Sequence, residues 1–287
     1  MESKVYFSKT ITGEKVLELY RLLGHTLSGR IAIKVHSGEV GNQNFLRPDF
    51  WRPILTATGG TVVECNTAYD GERNTTQKHL AAIRLHGWTE FDVDLMDAEG
   101  PDMELTVPEG KRIQKNYVGK NLQNYDSLLV LSHFKGHPMG GYGGALKQLS
   151  IGIASSHGKA YIHGAGIPEH IWTADHDSFL ESMADAAKSV ADRFAGKAVY
   201  INVMKNMSVD CDCCAVAEDP CMKDIGILIS TDPVAIDQAC IDLVYAAKED
   251  PGQAHLLERI ESRNGIHTIE AAAALGIGSR AYELIEV

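Results

Sequence analysis

Along the chain the hydrophobic period switches repeatedly between two and about 3.6 residues, the pattern of strands alternating with helices. Val5-Tyr-Phe reads as a short strand, and residues 14–26 follow as a helix with Val16, Leu17, Tyr20 and Leu23 on one face. Arg30-Ile-Ala-Ile-Lys-Val-His36 and Gly60-Thr-Val-Val-Glu-Cys65 read as strands, and residues 75–86 as a helix closed by Gly87 in a left-handed cap. Ser127-Leu-Leu-Val-Leu-Ser132 is the most apolar strand and belongs at the centre of a sheet. In the second half, Ser178-Phe-Leu-Glu181 has the spacing of a capping box. An apolar stripe of Phe179, Met183, Ala186, Val190 and Phe194 follows, closed by Gly196. Ala198-Val-Tyr-Ile-Asn-Val203 and Ile225-Gly-Ile-Leu-Ile229 read as strands, and Asp232-Pro233 opens a helix reaching residue 247. A helix near 268–275 and a strand over 282–287 end the pattern. The order predicts a single α/β domain with a mainly parallel sheet and flanking helices, with room for two lobes and a cleft between them. Residues 164–177, rich in turn formers and without a period, are the candidate lobe boundary.

Composition narrows the function more than the fold. The 287 residues are 44% hydrophobic and 23% charged, ordinary globular values, with a net charge of −11. No basic run is present, which argues against duplex nucleic acid and against docking on an anionic membrane as partners. A small anionic molecule or cofactor fits better. The first residues lack the basic start and apolar core of a signal peptide, and no apolar run approaches ~18 residues. The expected location is therefore the cytoplasm, where the six cysteines stay reduced and serve as ligands or core residues.

The densest chemistry lies in Ser132-His-Phe-Lys-Gly-His-Pro-Met-Gly-Gly-Tyr-Gly-Gly-Ala-Leu-Lys147, directly after the central strand. A ligand of an open α/β sheet sits at the carboxyl end of such a strand. Gly140, Gly141, Gly143 and Gly144 would let the backbone approach a ligand, and a helix N-terminus beyond them favours an anion. His133 and His137 are candidate metal ligands or acid/base groups; Lys147, like Lys135, is suited to binding an anion or cofactor. The segment matches neither the P-loop nor the dinucleotide fingerprint, because its last glycine is three residues from Lys147 and no hydroxyl residue follows.

Cys211-Asp-Cys-Cys214, with Cys221, gathers four cysteines into eleven residues. Such thiolate clustering points to an iron–sulfur cluster or another transition metal, zinc or copper, held by Cys211, Cys213, Cys214 and Cys221. Adjacent Cys213 and Cys214 would strain to bind one ion, so Cys211 and Cys213 are the core of the expected site, with Asp212 in support. Cys65 and Cys240 fall on apolar patterns and read as core. Lys34 and His36 also run off a strand end, although their alternation with Ile33 and Val35 also fits a solvent-facing edge. Asn66, Asp70, Arg73 and Asn74 read as a polar strand-end loop. His157, His163, His170 and His176 are further imidazoles that spacing cannot rank.

Ser132-His-Phe-Lys-Gly-His137, Gly-Gly-Ala-Leu-Lys147, Ile-Gly-Ile-Ala154, Cys211-Asp-Cys213, Asp224-Ile-Gly-Ile-Leu228 and Thr231-Asp-Pro-Val-Ala-Ile-Asp237 occur in one order that resembles the domain of unknown function 362 family. Lys34 and the stretch 66–86 fit as well. Members are often labelled iron–sulfur centre proteins, so the resemblance implies metal or cluster binding. Many carry a ferredoxin-type insert after the sequence matched here by Gly158-Lys-Ala160; this chain has the cysteine-free stretch 161–177 there. More distantly, His137-Pro-Met-Gly-Gly-Tyr-Gly-Gly-Ala-Leu-Lys147 is similar to the His-x9-Lys segment of lactate racemases. That likeness implies an acid/base role for His137 and a cofactor-anchoring role, toward a nickel pincer nucleotide, for Lys147. The expectation is a metal- or metal-cofactor-binding protein, an enzyme on a small anionic substrate. The alternatives are a cluster-binding carrier without catalysis and a racemase-like isomerase.

Overall fold

Strands form where branched and aliphatic residues run together, and helices where they recur on one face. The computed structural model describes residues 2–287. Its elements begin with β1 (Ser3–Ser8), α1 (Gly13–Leu23), β2 (Ile31–Lys34), α2 (Pro48–Thr58), β3 (Thr61–Glu64), α3 (Thr76–Leu85), β4 (Val93–Leu95), β5 (Met103–Thr106) and β6 (Lys115–Val118). They continue with β7 (Ser127–His133), β8 (Lys135–His137), β9 (Gly141–Gly143), α4 (Ala145–Lys147), α5 (Ser156–His163) and α6 (His176–Arg193). The last are β10 (Ala198–Met204), β11 (Gly226–Ser230), α7 (Pro233–Ala246), α8 (Gln253–Ser262), α9 (Ile266–Ala274) and β12 (Tyr282–Glu286).

Among the described residues, eight strands form one sheet in the order β12-β1-β11-β10-β7-β2-β3-β4. Neighbours are parallel except where β11 pairs with β1 and with β10. β7 and β10 are buried along their whole length at the centre, as the apolar run in β7 predicts. Side chains alternate across the sheet. Leu128 and Val130 join one core with residues of α6 and α7, and Leu129 and Leu131 join another with Val16, Leu19, Trp51 and Ile54 of α1 and α2. No helix among the described residues is long and apolar enough to cross a membrane.

Local signals hold with two adjustments. Asp232 caps α7 as read, accepting from Val234 N and Ala235 N at 2.9 and 3.0 Å, with Pro233 in the first turn. The expected capping box at Ser178 lies one turn too late: Asp175 caps α6, accepting from Ser178 N and Oγ at 3.0 and 2.8 Å. Glu181 is thereby free to pair with Lys111 and Arg112. Residues Gln148–Gly152, expected to be helical, form a wider π-helical turn.

The glycine-rich segment is anchored by a helix distant in sequence that packs on the same face of the sheet. Asp237, buried on α7, accepts from Ala145 N at 2.8 Å, Leu146 N at 2.9 Å, Tyr142 OH at 3.0 Å and Asn202 Nδ2 at 2.7 Å. Burial pushes its carboxyl up to about 6, while these donors oppose the rise, so it is an anion at neutral pH. Asp237→Ala would orphan several buried donors at once. It should lower the unfolding free energy by about 3 kcal/mol, read by urea denaturation. An unchanged midpoint would show that the segment holds itself.

Candidate functional site

Because β2, β3, β7 and β10 run parallel, their carboxyl ends share one edge of the sheet, and there a cavity of about 260 Å³ opens. Lys34 and His36 enter it from the end of β2, Glu64 and Cys65 from the end of β3, and His137 and Lys147 from the glycine-rich segment.

A fully buried ion pair forms part of the wall. Lys34, only 1% exposed, donates to Glu64 Oε2 at 2.6 Å, and the other Glu64 oxygen accepts from Ser37 N at 2.8 Å. Arg73 stands beside it, donating to Glu39 at 3.1 Å and lying 3.9 Å from Glu64. The solvent-facing reading of Lys34 and His36 is thus overturned. β2 is covered on both faces, so a lysine there survives only with a carboxylate partner. Burial, and then Arg73, pushes the His36 imidazole down to about 4, so the ring is neutral.

His137 ends β8, which pairs with β9 in a short antiparallel ribbon. Its Nδ1 accepts from Met139 N at 3.1 Å and from Gly140 N at 2.9 Å. The neutral ring therefore carries its proton on Nε2, which lies 3.8 Å from Cys213 Sγ. Burial, then Lys147, pushes this imidazole down to about 4. Lys147 donates to Cys211 Sγ at 2.9 Å. Burial lowers the lysine, but Cys211 and Cys213 outweigh it and hold the ammonium above its ordinary range.

The glycines serve the protein's own packing. Gly141 adopts φ +77°, and a Cβ there would meet Gly265 Cα at 2.8 Å; a Cβ on Gly144 would meet Asp237 Oδ1 at 2.5 Å. None of Gly140, Gly141, Gly143 and Gly144 lines the cavity. The N-terminal amides of α4, expected to favour an anion, bind one from within the chain, the carboxylate of Asp237.

Cys211 Sγ, Cys213 Sγ and a ring nitrogen of His137 all lie within 4.8 Å of one another, close enough to hold a metal ion. Burial would raise the Cys211 thiol, but the Cys213 S–H and the Lys147 ammonium hold it well below its ordinary value. Cys213 moves the opposite way, because its S–H serves Cys211. Cys214 lines the cavity beside them, whereas Cys221 stands apart, its thiol directed to Met207 O at 3.4 Å. His133 and Lys135 support the cysteine loop from behind. Asp212 accepts from His133 Nδ1 at 2.9 Å and from Lys135 Nζ at 2.7 Å, and His133 Nε2 reaches Lys205 O at 2.5 Å. Neither residue lines the cavity.

Several cavity residues escaped the sequence reading. Glu64 was passed over inside a strand, yet a carboxylate between Val63 and Cys65 is itself the signal that a cation must meet it. Arg73 was assigned to a polar loop, and Lys159 and Trp172 carried no local signal at all. His163 stood among four unranked imidazoles; in the structure it lines the cavity, with Nδ1 2.7 Å from Lys159 O.

The family model for a domain of unknown function (DUF362) matches residues 31–242, well over half of the chain, and the chain belongs to that family. A search of curated proteins returns no match. Among solved structures, a Thermotoga maritima protein determined by a structural genomics consortium is similar at 13% identity and a TM-score of 0.47, covering 96% of this chain and 60% of its own. The lactate racemase apoprotein of Thermoanaerobacterium thermosaccharolyticum is similar at 17% identity and a TM-score of 0.42, covering 69% of this chain and 50% of its own. This chain thus spans about 60% of the length of the first and half of the second.

The buried pair makes acid stability a test of this geometry. Burial alone would raise the Glu64 carboxyl, yet Lys34, then His36, His79 and Arg73, hold it well below its ordinary 4.5. A carboxyl so depressed binds protons more readily unfolded, so its contribution is complete above about pH 4.5 and is lost as pH falls through the folded value. Below that pH the wild type should lose roughly 1.4 kcal/mol per pH unit from this group. Glu64→Gln should begin less stable at neutral pH and show a shallower acid slope in pH-dependent urea unfolding.

Proposed function

We propose that this member of the DUF362 family is a metal-dependent enzyme acting on a small anionic molecule in the strand-end cavity. The reading rests on one observation: Cys213, His137 and Lys147 line that cavity, and the buried Cys211 Sγ lies within 4.8 Å of the Cys213 sulfur and a His137 ring nitrogen and 2.9 Å from Lys147 Nζ.

The donor set suits a soft or borderline ion such as zinc, nickel or iron, because thiolates select for these over calcium or magnesium. Cys211 is already held toward the thiolate by Lys147, and the proton on Cys213 is the one an ion would displace. His137 fits hydrogen-bond donation to the substrate better than ligation of the ion. A ligating imidazole normally donates from its second nitrogen, whereas Nδ1 here accepts two backbone N–H bonds. Cys211 and Cys213 would therefore hold the ion, which supplies Lewis acidity when bound. His137 Nε2–H would donate a hydrogen bond to the substrate, and Lys147 would balance the thiolate charge. An iron–sulfur cluster would have to recruit Cys214 and a further ligand, since Cys221 is committed to Met207 O.

A racemase-like isomerase is the second reading, supported by His137 and Lys147 facing one cavity. The Lys147 ammonium held by Cys211 weighs against it, because a lysine that carries a covalent cofactor must first act as a neutral amine.

Anaerobically purified protein should contain about one transition-metal ion per chain by elemental analysis, as one compact donor set requires. Cys211→Ser combined with Cys213→Ser should reduce that to background. His137→Asn should keep the metal and lose turnover, once a substrate is found. Metal content unchanged in the double serine variant would defeat the thiolate site, and metal lost with His137→Asn would return the imidazole to the ligand set.

A further inference from the structure

The cations lining the cavity are not all accounted for. Lys34 is matched by Glu64, Arg73 by Glu39, and Lys147 by the Cys211 thiol. Lys159, on α5, is 6% exposed and lines the same cavity, yet among the described residues it forms no ion pair. Its ammonium donates only to backbone carbonyls, to Ala154 O at 2.5 Å and to Cys65 O at 3.4 Å. Carbonyl dipoles orient a buried ammonium but do not neutralise it, and such a charge is costly until an anion arrives.

The surroundings define which anion. A phosphate dianion calls for several free donors, typically a helix N-terminus or a nest of amides. The start of α5 is already filled by Asp97 and Ser155, the start of α4 by Asp237, and the amides of Met139 and Gly140 are spent on His137. One unmatched positive charge calls for one negative charge. Ile151 and Met139 present apolar surface to the rest of the cavity, and Trp172, 65% exposed, stands at its mouth. About 260 Å³ holds only a small molecule.

We infer that Lys159 is the docking group for the carboxylate of a small monocarboxylic acid whose apolar body lies along Ile151, Met139 and Trp172. The inference rests on the reading of this cavity as the substrate site, but not on the metal. Lys159 acts as a binding residue that orients the acid, with the end remote from its carboxylate left toward His137 and the thiols.

Butyrate, butyramide and inorganic phosphate would be titrated against the full chain, read by thermal shift and by the fluorescence of Trp172. Trp51 and Trp88 are buried in the core, which leaves Trp172 as the tryptophan open to a cavity ligand. Butyrate should stabilise the wild type and change its fluorescence, and butyramide and phosphate should do neither. Lys159→Met and Lys159→Gln, the second retaining donors for the carbonyls, should each weaken butyrate roughly thirtyfold or more while retaining metal content. Neither should melt below the wild type in the absence of ligand, because the uncompensated charge is gone. The inference falls if butyramide or phosphate binds as well as butyrate, if butyrate does not bind, or if either variant binds it within about threefold of the wild type. Wild type treated with a chelator should bind butyrate like the untreated protein, which separates this outcome from failure of the metal reading.

Discussion

A single carboxylate fixes the geometry on which this site depends. Asp237 sits on α7, yet three of its four donors belong to β9 and α4, and the fourth is Asn202 of β10. A glycine-rich backbone pays a large conformational entropy to adopt one shape, and here an ionic, four-way anchor offsets that cost. The turn so held sets where Lys147 emerges, and the β8–β9 pair that leads into it carries His137. Gly141 and Gly144 are required because neighbouring atoms press against them.

Lys159 apart, the remaining charges near the cavity follow one rule: a buried ion is kept where a partner of opposite sign meets it. Glu64 with Lys34, Glu39 with Arg73, and Asp212 with His133 and Lys135 are each more than nine-tenths buried. Such pairs add little net stability, since desolvation consumes most of the attraction. Their effect is to hold donors and acceptors in fixed positions around a space that water does not dominate, where electrostatic interactions are strong. The imidazoles of His36, His137 and His163 are neutral in that space, each pushed to about 4 chiefly by burial.

What could be read from the sequence was local. The buried β7, the Asp232 cap and the alternation of strand with helix are consequences of neighbouring residues, and all three stand in the structure. The importance of the glycine-rich segment and of Cys211–Cys213 was also visible, because several chemically active residues fall within a few positions. α2 was missed because Pro53 inside it argues against a helix; α8 was missed because charged residues dilute its stripe to Leu256 and Ile260. The pairing partners were the larger loss. Glu64 lies thirty residues from Lys34, and Asp212 lies 79 from His133, so no window of sequence contains both members. The same distance hid the roles of the glycines and of His133, which depend on what the fold brings against them.

The reversal of β11 has a consequence of its own. In an otherwise parallel neighbourhood, it lets the chain leave β10 at Met204 and return opposite that same residue at Gly226. The intervening residues 205–225, with every thiol of the cysteine cluster, are therefore a closed excursion from one rung of the ladder. Because the rung joins the two feet, lengthening the excursion at its exposed positions costs only slowly growing closure entropy and leaves the strand register untouched. The architecture thus hangs its sulfur chemistry on a single rung, while the cavity wall built from β2, β3 and β7 belongs to the ladder itself.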